Sequence, residues 1–480
     1  GYRGWQAELF NILAITPSTG RTMDDFCRDA AQAGDDNTVI SDLGGKYSAK
    51  NKGASLVADW DLNENISLKS ITGWRYTNAE QDDELDHTGI PFLHRTQTVH
   101  PHGKPRKTDQ YSQEFQVTGN AVNDRLTYVA GVYLFREKTT GETTVSFLGP
   151  FDPALADWLY LNTSSAKLDA DNDAVAGFAQ LEWQWTEHWR TTLGLRYTDE
   201  SRELDRTRYQ IVPNSIDANG GEVTPLFNDS GLYDREPGFV YNPDFEFTVQ
   251  DRTKEKTSGD DTTPMASIQY LLDQQEGIDA GTIYLTYSEG FLSGGLSEAP
   301  SGLLETFEPE EVTNWELGFK LDLLDSSLRV NGAFYYSDYK NRQLTSLVID
   351  PVTNAPAPAT INAAKSTIKG FELETMWYPT ERLQLMFNMT LNDGNIEEFD
   401  DVQLSIADPA VPPGAGCSRA DLTFLQVDSC PNDRSDENLP RLPEQTYYVA
   451  AEYTFDTPVG QLLPRVQSVS YTHLRAHETS

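Results

Sequence analysis

From Leu383 to Asn392 the chain alternates. Leu383, Leu385, Phe387, Met389 and Leu391 fall on one side of an extended backbone; Gln384, Asn388, Thr390 and Asn392 fall on the other. Successive side chains of a strand point to opposite faces, so a period of two predicts a β-strand with one apolar and one polar face. The pattern recurs at Thr313, Trp315, Leu317, Phe319 and Leu321 against Asn314, Glu316, Gly318 and Lys320. It recurs at Val175, Gly177, Ala179, Leu181, Trp183 and Trp185 against Gln180, Glu182 and Gln184. Leu193, Leu195 and Tyr197 alternate with Thr192, Arg196 and Thr198; Tyr447, Val449, Ala451, Tyr453 and Phe455 alternate with Glu452 and Thr454. The segments around 66–76, 110–119 and 126–137 alternate less cleanly. Thirteen strand-like segments lie between residues 54 and 455, with an earlier one within 1–13. Each has about ten residues, the length a tilted strand needs to cross a bilayer.

The connections sort into two classes that alternate along the chain. Residues 62–65, 120–125, 186–189, 273–280, 324–327, 379–382 and 456–461 read as short turns. Residues 77–109, 138–172, 205–260, 292–311, 345–365 and 394–444 read as long loops. A soluble sandwich gives loop length no reason to follow parity. An outer-membrane barrel does, with short periplasmic turns and long extracellular loops. The predicted fold is therefore all-β, a transmembrane antiparallel β-barrel of about fourteen strands. Its polar side chains then line the lumen, where water or a plug tolerates charge. Glu114, Glu182, Arg196, Glu316, Lys320, Glu372, Glu374 and Glu452 are expected there, in contact with a plug and without a chemical role.

Composition agrees and excludes alternatives. With 74 acidic and 37 basic side chains the formal net charge is −37, which argues against a nucleic-acid partner needing a basic face. No apolar run approaches the length of a membrane helix. The chain has 22 Tyr, 21 Phe and 9 Trp, too many aromatics for a disordered chain. Trp183, Trp185, Trp189, Trp377 and Tyr378 lie beside short turns, while Tyr335, Tyr336 and Tyr339 lie at the other end of a strand. Two aromatic girdles are a mark of membrane barrels, although aromatics favour strands in any case. Cys417 and Cys430 flank a polar segment and are expected to form a local disulfide, as suits an oxidising compartment. Cys27 has no sequence-local partner. Gly1-Tyr2-Arg3-Gly4-Trp5 does not read as a signal peptide or an initiating segment, so the chain is expected to be part of a longer protein. Residues 468–480 (SVSYTHLRAHETS) depart from the alternation and charge of the rest and read as a non-native tail, leaving 1–467 as the barrel portion.

The strand segments resemble a known family. Ser112-Gln113-Glu114-Phe115, then Leu126-Thr127-Tyr128-Val129-Ala130-Gly131-Val132-Tyr133, resemble consecutive barrel strands of TonB-dependent outer-membrane receptors. So do Gly177-Phe178-Ala179-Gln180 with Gly194-Leu195-Arg196-Tyr197-Thr198, and Tyr284 to Phe291 followed by Gly294-Gly295. Phe307-Glu308-Pro309-Glu310, Trp315-Glu316-Leu317-Gly318-Phe319-Lys320 and Asn362 to Glu372 complete the series in the family's order. The resemblance spans residues 54 to 455, and Glu289 departs from it by standing where the family often has a basic residue. It implies a 22-stranded barrel of which this chain carries about fourteen strands, with the plug, the TonB-contacting box and the closing strands outside it. It further implies the outer membrane of a Gram-negative bacterium, and active uptake of a scarce nutrient. A ferric siderophore or other iron complex is the leading cargo; cobalamin, haem and oligosaccharides are alternatives. TonB (through the plug region), the iron chelate, and outer-membrane lipid with lipopolysaccharide are the implied partners, and no cofactor is implied.

The loops carry the remaining chemistry. His87, His94, His100 and His102 share one loop with Glu80, Asp82, Asp83, Glu84 and Asp86. The pair His100 and His102 is a metal or haem candidate, but without a fixed ligand set the solvated polar loop is the favoured reading. Asp169, Asp171 and Asp173 mimic a calcium loop, yet Ala174 and Gln180 replace the required Gly and Glu. A charged loop entering a strand is the reading there. Trp158, Tyr160, Tyr233 and Tyr241 are candidates to stack on an aromatic chelate. Nucleophile-elbow, phosphate-loop and zinc motifs are missing, so an enzyme is not expected. A passive porin and a surface adhesin remain as competing readings.

Overall fold

The computed structural model describes residues 46–84, 93–96, 104–152, 157–211, 248–275, 277–296, 306–349, 356–406, 412–413, 417–421, 426–435, 437–439 and 442–472. Fourteen strands run up and down in chain order. They are β1 (Lys46–Asn63), β2 (Ile66–Glu84), β3 (Lys104–Ala121), β4 (Leu126–Asp152), β5 (Asp157–Gln184), β6 (Trp189–Ile211) and β7 (Thr248–Leu272). They continue as β8 (Ile278–Leu292), β9 (Glu310–Leu323), β10 (Leu328–Ile349), β11 (Pro356–Thr380), β12 (Leu383–Ile406), β13 (Gln445–Tyr453) and β14 (Arg465–Tyr471). Each pairs antiparallel with its successor. Three short segments, Leu93–Thr96, Ser418–Asp421 and Gln426–Asp433, join the same sheet. The expected strand within 1–13 lies outside the described residues.

The alternation sets the faces. In the central rungs Leu193 pairs with Leu181 and Ala266, Leu317 with Leu285 and Phe334, and Phe387 with Val449. These side chains share one face, and Leu181, Leu193, Leu285, Leu317, Phe334 and Val449 all stand exposed. An apolar belt open to its surroundings cannot be a soluble protein's core; it is a surface made for hydrocarbon. Aromatic rings bound it. Trp189 meets Tyr270 at 4.8 Å at one end, and Tyr287 meets Trp315 at 4.8 Å at the other.

At the turn end the connections are tight. The turns 122–125 and 324–327 each hold three consecutive residues at positive φ: Val122, Asn123 and Asp124, then Leu324, Asp325 and Ser326. Asn and Asp tolerate that region best, which locates both reversals on polar centres.

At the opposite end the strands outrun the expectation from sequence. β4 and β5 have 27 and 28 residues and stay in register over most of what reads as the loop 138–172. Asp169, Asp171 and Asp173 are therefore strand residues of β5, not a loop. Alternation stops because both faces leave hydrocarbon there, while the backbone ladder continues. Cross-strand polar pairs replace the apolar ones: Arg136 with Asp173 at 3.7 Å, Lys138 with Asp171 at 3.6 Å, Lys254 with Glu203 at 2.6 Å and Arg252 with Asp205 at 2.7 Å. The Arg252 guanidinium, hydrogen-bonded to Asp205, holds that carboxyl below the usual range; Glu203 raises the Lys254 ammonium.

The segment read as a non-native tail lies partly among the described residues. β14 continues through Tyr471, so residues 468–471 form part of a strand against β13. Its polarity is inverted, however. Register puts Ser468 and Ser470 on the apolar face beside Val449 and Tyr447, with Val469 and Tyr471 opposite. Residues 473–480 lie outside the described residues. Cys417 and Cys430 are disulfide-bonded, bracing the short hairpin Ser418–Asp421 with Gln426–Asp433 on the outer end of β12.

Candidate functional site: the polar face of the sheet

The polar face is built from strand register, and its best-formed part is the motif from Glu316 to Lys320 on β9. Gly318 is buried, and a Cβ there would strike the Tyr284 ring of β8. Lacking one, the ring lies across the strand, and its hydroxyl donates to Glu316 Oε1 at 2.7 Å. The Lys320 ammonium stands 5.9 Å from the same ring. Glu, Gly and Lys at alternate positions thus form one unit around a neighbour's tyrosine. The arrangement repeats two strands on: Tyr335 of β10 covers Gly370 of β11, and its hydroxyl donates to Asn392 of β12. Such aromatic cover of a strand glycine also pins register.

All eight charged residues expected in the lumen share this face. Glu114 opposes Tyr133, Glu182 opposes Thr127 and Thr192, and Arg196 opposes Phe178. Glu316 opposes Thr286 and Tyr335, Lys320 opposes Asn331, and Glu372 and Glu374 oppose Ala333 and Asn331. Glu452 opposes Gln384 and Arg465. They do not converge on one point. Glu182, Glu316 and Lys320 line one open concavity of about 480 Å³ with Gln180, Gln269 and Tyr284. Glu374 shares the rung of Lys320, across Asn331. Both signs of charge occur along the wall. β6 carries Arg190, Arg196, Arg202 and Arg206 on this face together with Glu200, which lies 3.8 Å from Arg202, and Arg190 lies 3.3 Å from Glu182 of β5. Arg196 is held against Tyr133 at 5.6 Å and Phe178 at 5.9 Å, and its Nε donates to Thr198 at 3.1 Å.

Towards the outer end the polar face is stitched by amides. Gln343 Nε2 donates to the carbonyls of Ser293 at 3.0 Å and Glu308 at 3.1 Å. Asn362 donates to the carbonyls of Glu308 and Asn341, both at 2.8 Å, and accepts from Glu308 N at 2.6 Å. These bonds fold the base of the β8–β9 connection inward, where Gly295 leaves room for Phe307 and Arg202. Nearby, Arg342 donates to fully buried Ser366 at 2.8 Å. On β12, Gly394 leaves space for Leu439 and Leu442 of the returning chain. Leu439 joins Ala364, Ile396 and Phe399 in a small apolar core at the mouth. Sequence reading missed Gln343, Arg342, Arg202 and Leu439, because each acts on a segment distant in sequence. Asn362 stands in a recognised motif, and the amide clamp is what that motif builds.

The ligand candidates fare differently. The backbones of Trp158 and Tyr160 lie in β5, opposite Phe151 and Leu148, while their side chains lie outside the described residues. Tyr233, Tyr241, His100, His102 and Cys27 also lie outside them. Among the described residues no group of three or more His, Cys, Asp or Glu is arranged to hold a metal ion.

A family described as "TonB dependent receptor-like, beta-barrel" matches residues 4–476. The metal-pseudopaline receptor CntO of Pseudomonas aeruginosa is 24% identical over 230 residues, 48% of this chain and 25% of that protein. The crystal structure of the ferric yersiniabactin uptake receptor FyuA from Yersinia pestis superposes with a TM-score of 0.57 at 14% identity, covering 88% of this chain and 50% of that one. The siderophore receptor PiuA from Acinetobacter baumannii gives 0.54 at 15%, covering 88% and 58%. The likeness to the solved structures is one of fold, and the chain spans about half the length of each.

Proposed function

Because this chain belongs to the TonB-dependent receptor β-barrel family, whose members lie in the outer membrane of Gram-negative bacteria, we propose that its protein takes up a ferric siderophore or similar metal complex actively. The family is one of transport receptors. The observation that carries the reading is the two-faced sheet: an exposed apolar belt backed by a continuous polar, charged wall. In this reading the wall lines the lumen, and Glu114, Glu182, Arg196, Glu316, Lys320, Glu372, Glu374 and Glu452 contact a plug. Trp158, Tyr160, Tyr233 and Tyr241 stack on the chelate from the loops. TonB engages the plug region, and lipopolysaccharide surrounds the outer rim. The relatives named for siderophores and metal–pseudopaline favour an iron or metal chelate over cobalamin, haem or an oligosaccharide.

The test is growth rescue. The full-length gene, expressed in an iron-starved host lacking its own receptors, is expected to restore growth on a ferric siderophore only when TonB is present. Equal rescue in a TonB-deficient host would favour a passive channel instead.

A further inference from the structure

We propose that Gln343 of β10 and Asn362 of β11 are positioning residues for cargo capture. They hold the base of the β8–β9 connection against the inner wall, where Phe307 and Arg202 then form a fixed corner of the mouth. The proposal rests on the uptake reading above and gives it two residues that act through the connection and not on the cargo.

The argument starts where two ladders end. β8 and β9 stay paired as far as Leu292 and Glu310. Beyond them Gly295-Leu296 pairs with Thr306-Phe307, and this short piece packs against β6 and β7. Among the described residues the β7–β8 register ends at Met265 and Ser288, so the connection crosses the wall above the last rung those strands share. The two feet of the connection are Leu292–Leu296 and Thr306–Glu310. The Gln343 amide donates to the carbonyls of Leu292 at 3.3 Å and Ser293 at 3.0 Å on one foot, and to that of Glu308 at 3.1 Å on the other. Its backbone N–H donates to Glu310 Oε2 at 2.9 Å. One side chain thus ties both feet together. Asn362 ties the second foot to the wall: it accepts from Glu308 N and donates to the carbonyls of Glu308 and Asn341.

Two further features belong to the same construction. β10 shifts register against β11 between Tyr339 and Gln343, and Asn341 within that shift has φ of 53°. A bulge takes main-chain groups out of the ladder and re-aims them, and Asn is among the few residues that tolerate this backbone region. The Asn341 carbonyl is the one that receives the Asn362 amide. The second feature is Gly294. A Cβ there would collide with the Phe307 carbonyl oxygen and stand 3.1 Å from the backbone of Glu308 and Pro309, which no rotamer change can move. The feet therefore touch main chain to main chain. On the far side the Ser293 hydroxyl donates to Glu200, and Gly295 leaves room for the Phe307 ring and the Arg202 guanidinium. A connection held in this way needs no ordering when cargo arrives. If it is loosened, only the fraction of molecules with the base in place binds, and apparent affinity falls by that fraction. The rate of transport from the filled site is unchanged, because cargo binds only the ordered form.

The experiment uses the full-length receptor in outer membranes, with one catecholate, one phenolate and one hydroxamate siderophore loaded with radioactive iron as probes. Q343E and N362D keep the side-chain shape, remove the donors and set a carboxylate against carbonyl oxygens. G294A loosens the same feet by another route. N395D is the control, since that rim amide donates to Asp393 instead. Q343K returns donors to the carbonyls that Gln343 serves. Half-saturating concentration and maximal uptake are measured, together with hydrogen exchange of the two feet without iron complex. Q343E, N362D and G294A are each expected to raise the half-saturating concentration at least about fivefold, with maximal uptake within about twofold of wild type and faster exchange at the feet. N395D and Q343K are expected to stay near wild type in all three readouts. Faster exchange with unchanged half-saturation overturns the role and leaves a purely structural clamp. A fall in maximal uptake alone also overturns it, as does a Q343K as impaired as Q343E. Heat-modifiable migration scores membrane insertion, and three variants of one clamp keep the test open if one of them fails to insert. A wild-type protein that takes up none of the three probes overturns the uptake reading itself, whereas normal wild-type uptake with unaffected clamp variants overturns this inference alone.

Discussion

The inner and outer halves of β6 share one backbone ladder and little else. Between Trp189 and Tyr197 the outward face carries Leu193 and Leu195, both exposed, against Leu181, Ala179, Ala266 and Pro264. Beyond Tyr197 the same face carries Asp199, Ser201, Glu203 and Asp205, with ion pairs from Glu203 and Asp205 to Lys254 and Arg252 on β7. The inner half matches hydrocarbon. The outer half is held by main-chain hydrogen bonds and by polar pairs that each contribute little. A strand can therefore be continuous in geometry while its side-chain thermodynamics changes completely partway along.

The sharpest way to break the comparison is to place one charge in each half. Leu193→Arg puts a guanidinium near the middle of the apolar belt and is expected to cost about 2–4 kcal/mol. Ser201→Arg, eight residues on and on the same face, is expected to stay within about 0.5 kcal/mol. Denaturant midpoints of the full-length protein in lipid bilayers measure both; similar costs would mean the belt does not meet lipid.

A second contrast sets the polar face against the apolar one. Gly318→Val drives a branched side chain into Tyr284, and overpacking of this kind is expected to cost about 1–3 kcal/mol. Gly177→Val, on the outward face with nothing within 4 Å, is expected to be neutral or slightly stabilising in the same assay. A neutral Gly318→Val would show that Tyr284 does not need the cleft.

The smallest effect belongs to the outer ladder. Asp205→Asn is expected to cost below about 1 kcal/mol at neutral pH, since exposed pairs are screened. Its pKa is depressed by Arg252, so the contribution is complete above the ordinary carboxylate value and lost as pH falls through the lower folded one. The gap between wild type and Asp205→Asn should thus close well below about pH 4. A gap that persisted there would assign the effect to packing and not to charge.

These contrasts also explain what could be read in advance. Strand direction and facing were legible wherever one face meets hydrocarbon, because hydrocarbon forces strict alternation; Leu383–Asn392 is the clearest case. The outer halves of β4 and β5 were not legible, because water on both faces imposes no period. The polar unit of Glu316, Gly318 and Lys320 stood out as a motif, but its reason, Tyr284 lying over the glycine, belongs to the neighbouring strand. Gln343 and Leu439 gave no local signal: their partners Ser293 and Gly394 are about fifty residues away and meet them only after the strands have paired.

By itself, then, the amino-acid sequence determined which side chains fall on the apolar face of the sheet and which on the polar face, since that follows from a period of two and local polarity. Tertiary structure alone decided how far the ladders extend beyond the membrane, how the mouth folds inward around Gly394 and Asn362, and which carboxylates Lys254, Lys365 and Lys369 meet on the outer rim. Those outcomes depend on the register between strands distant in sequence, and register is a property of the assembled sheet.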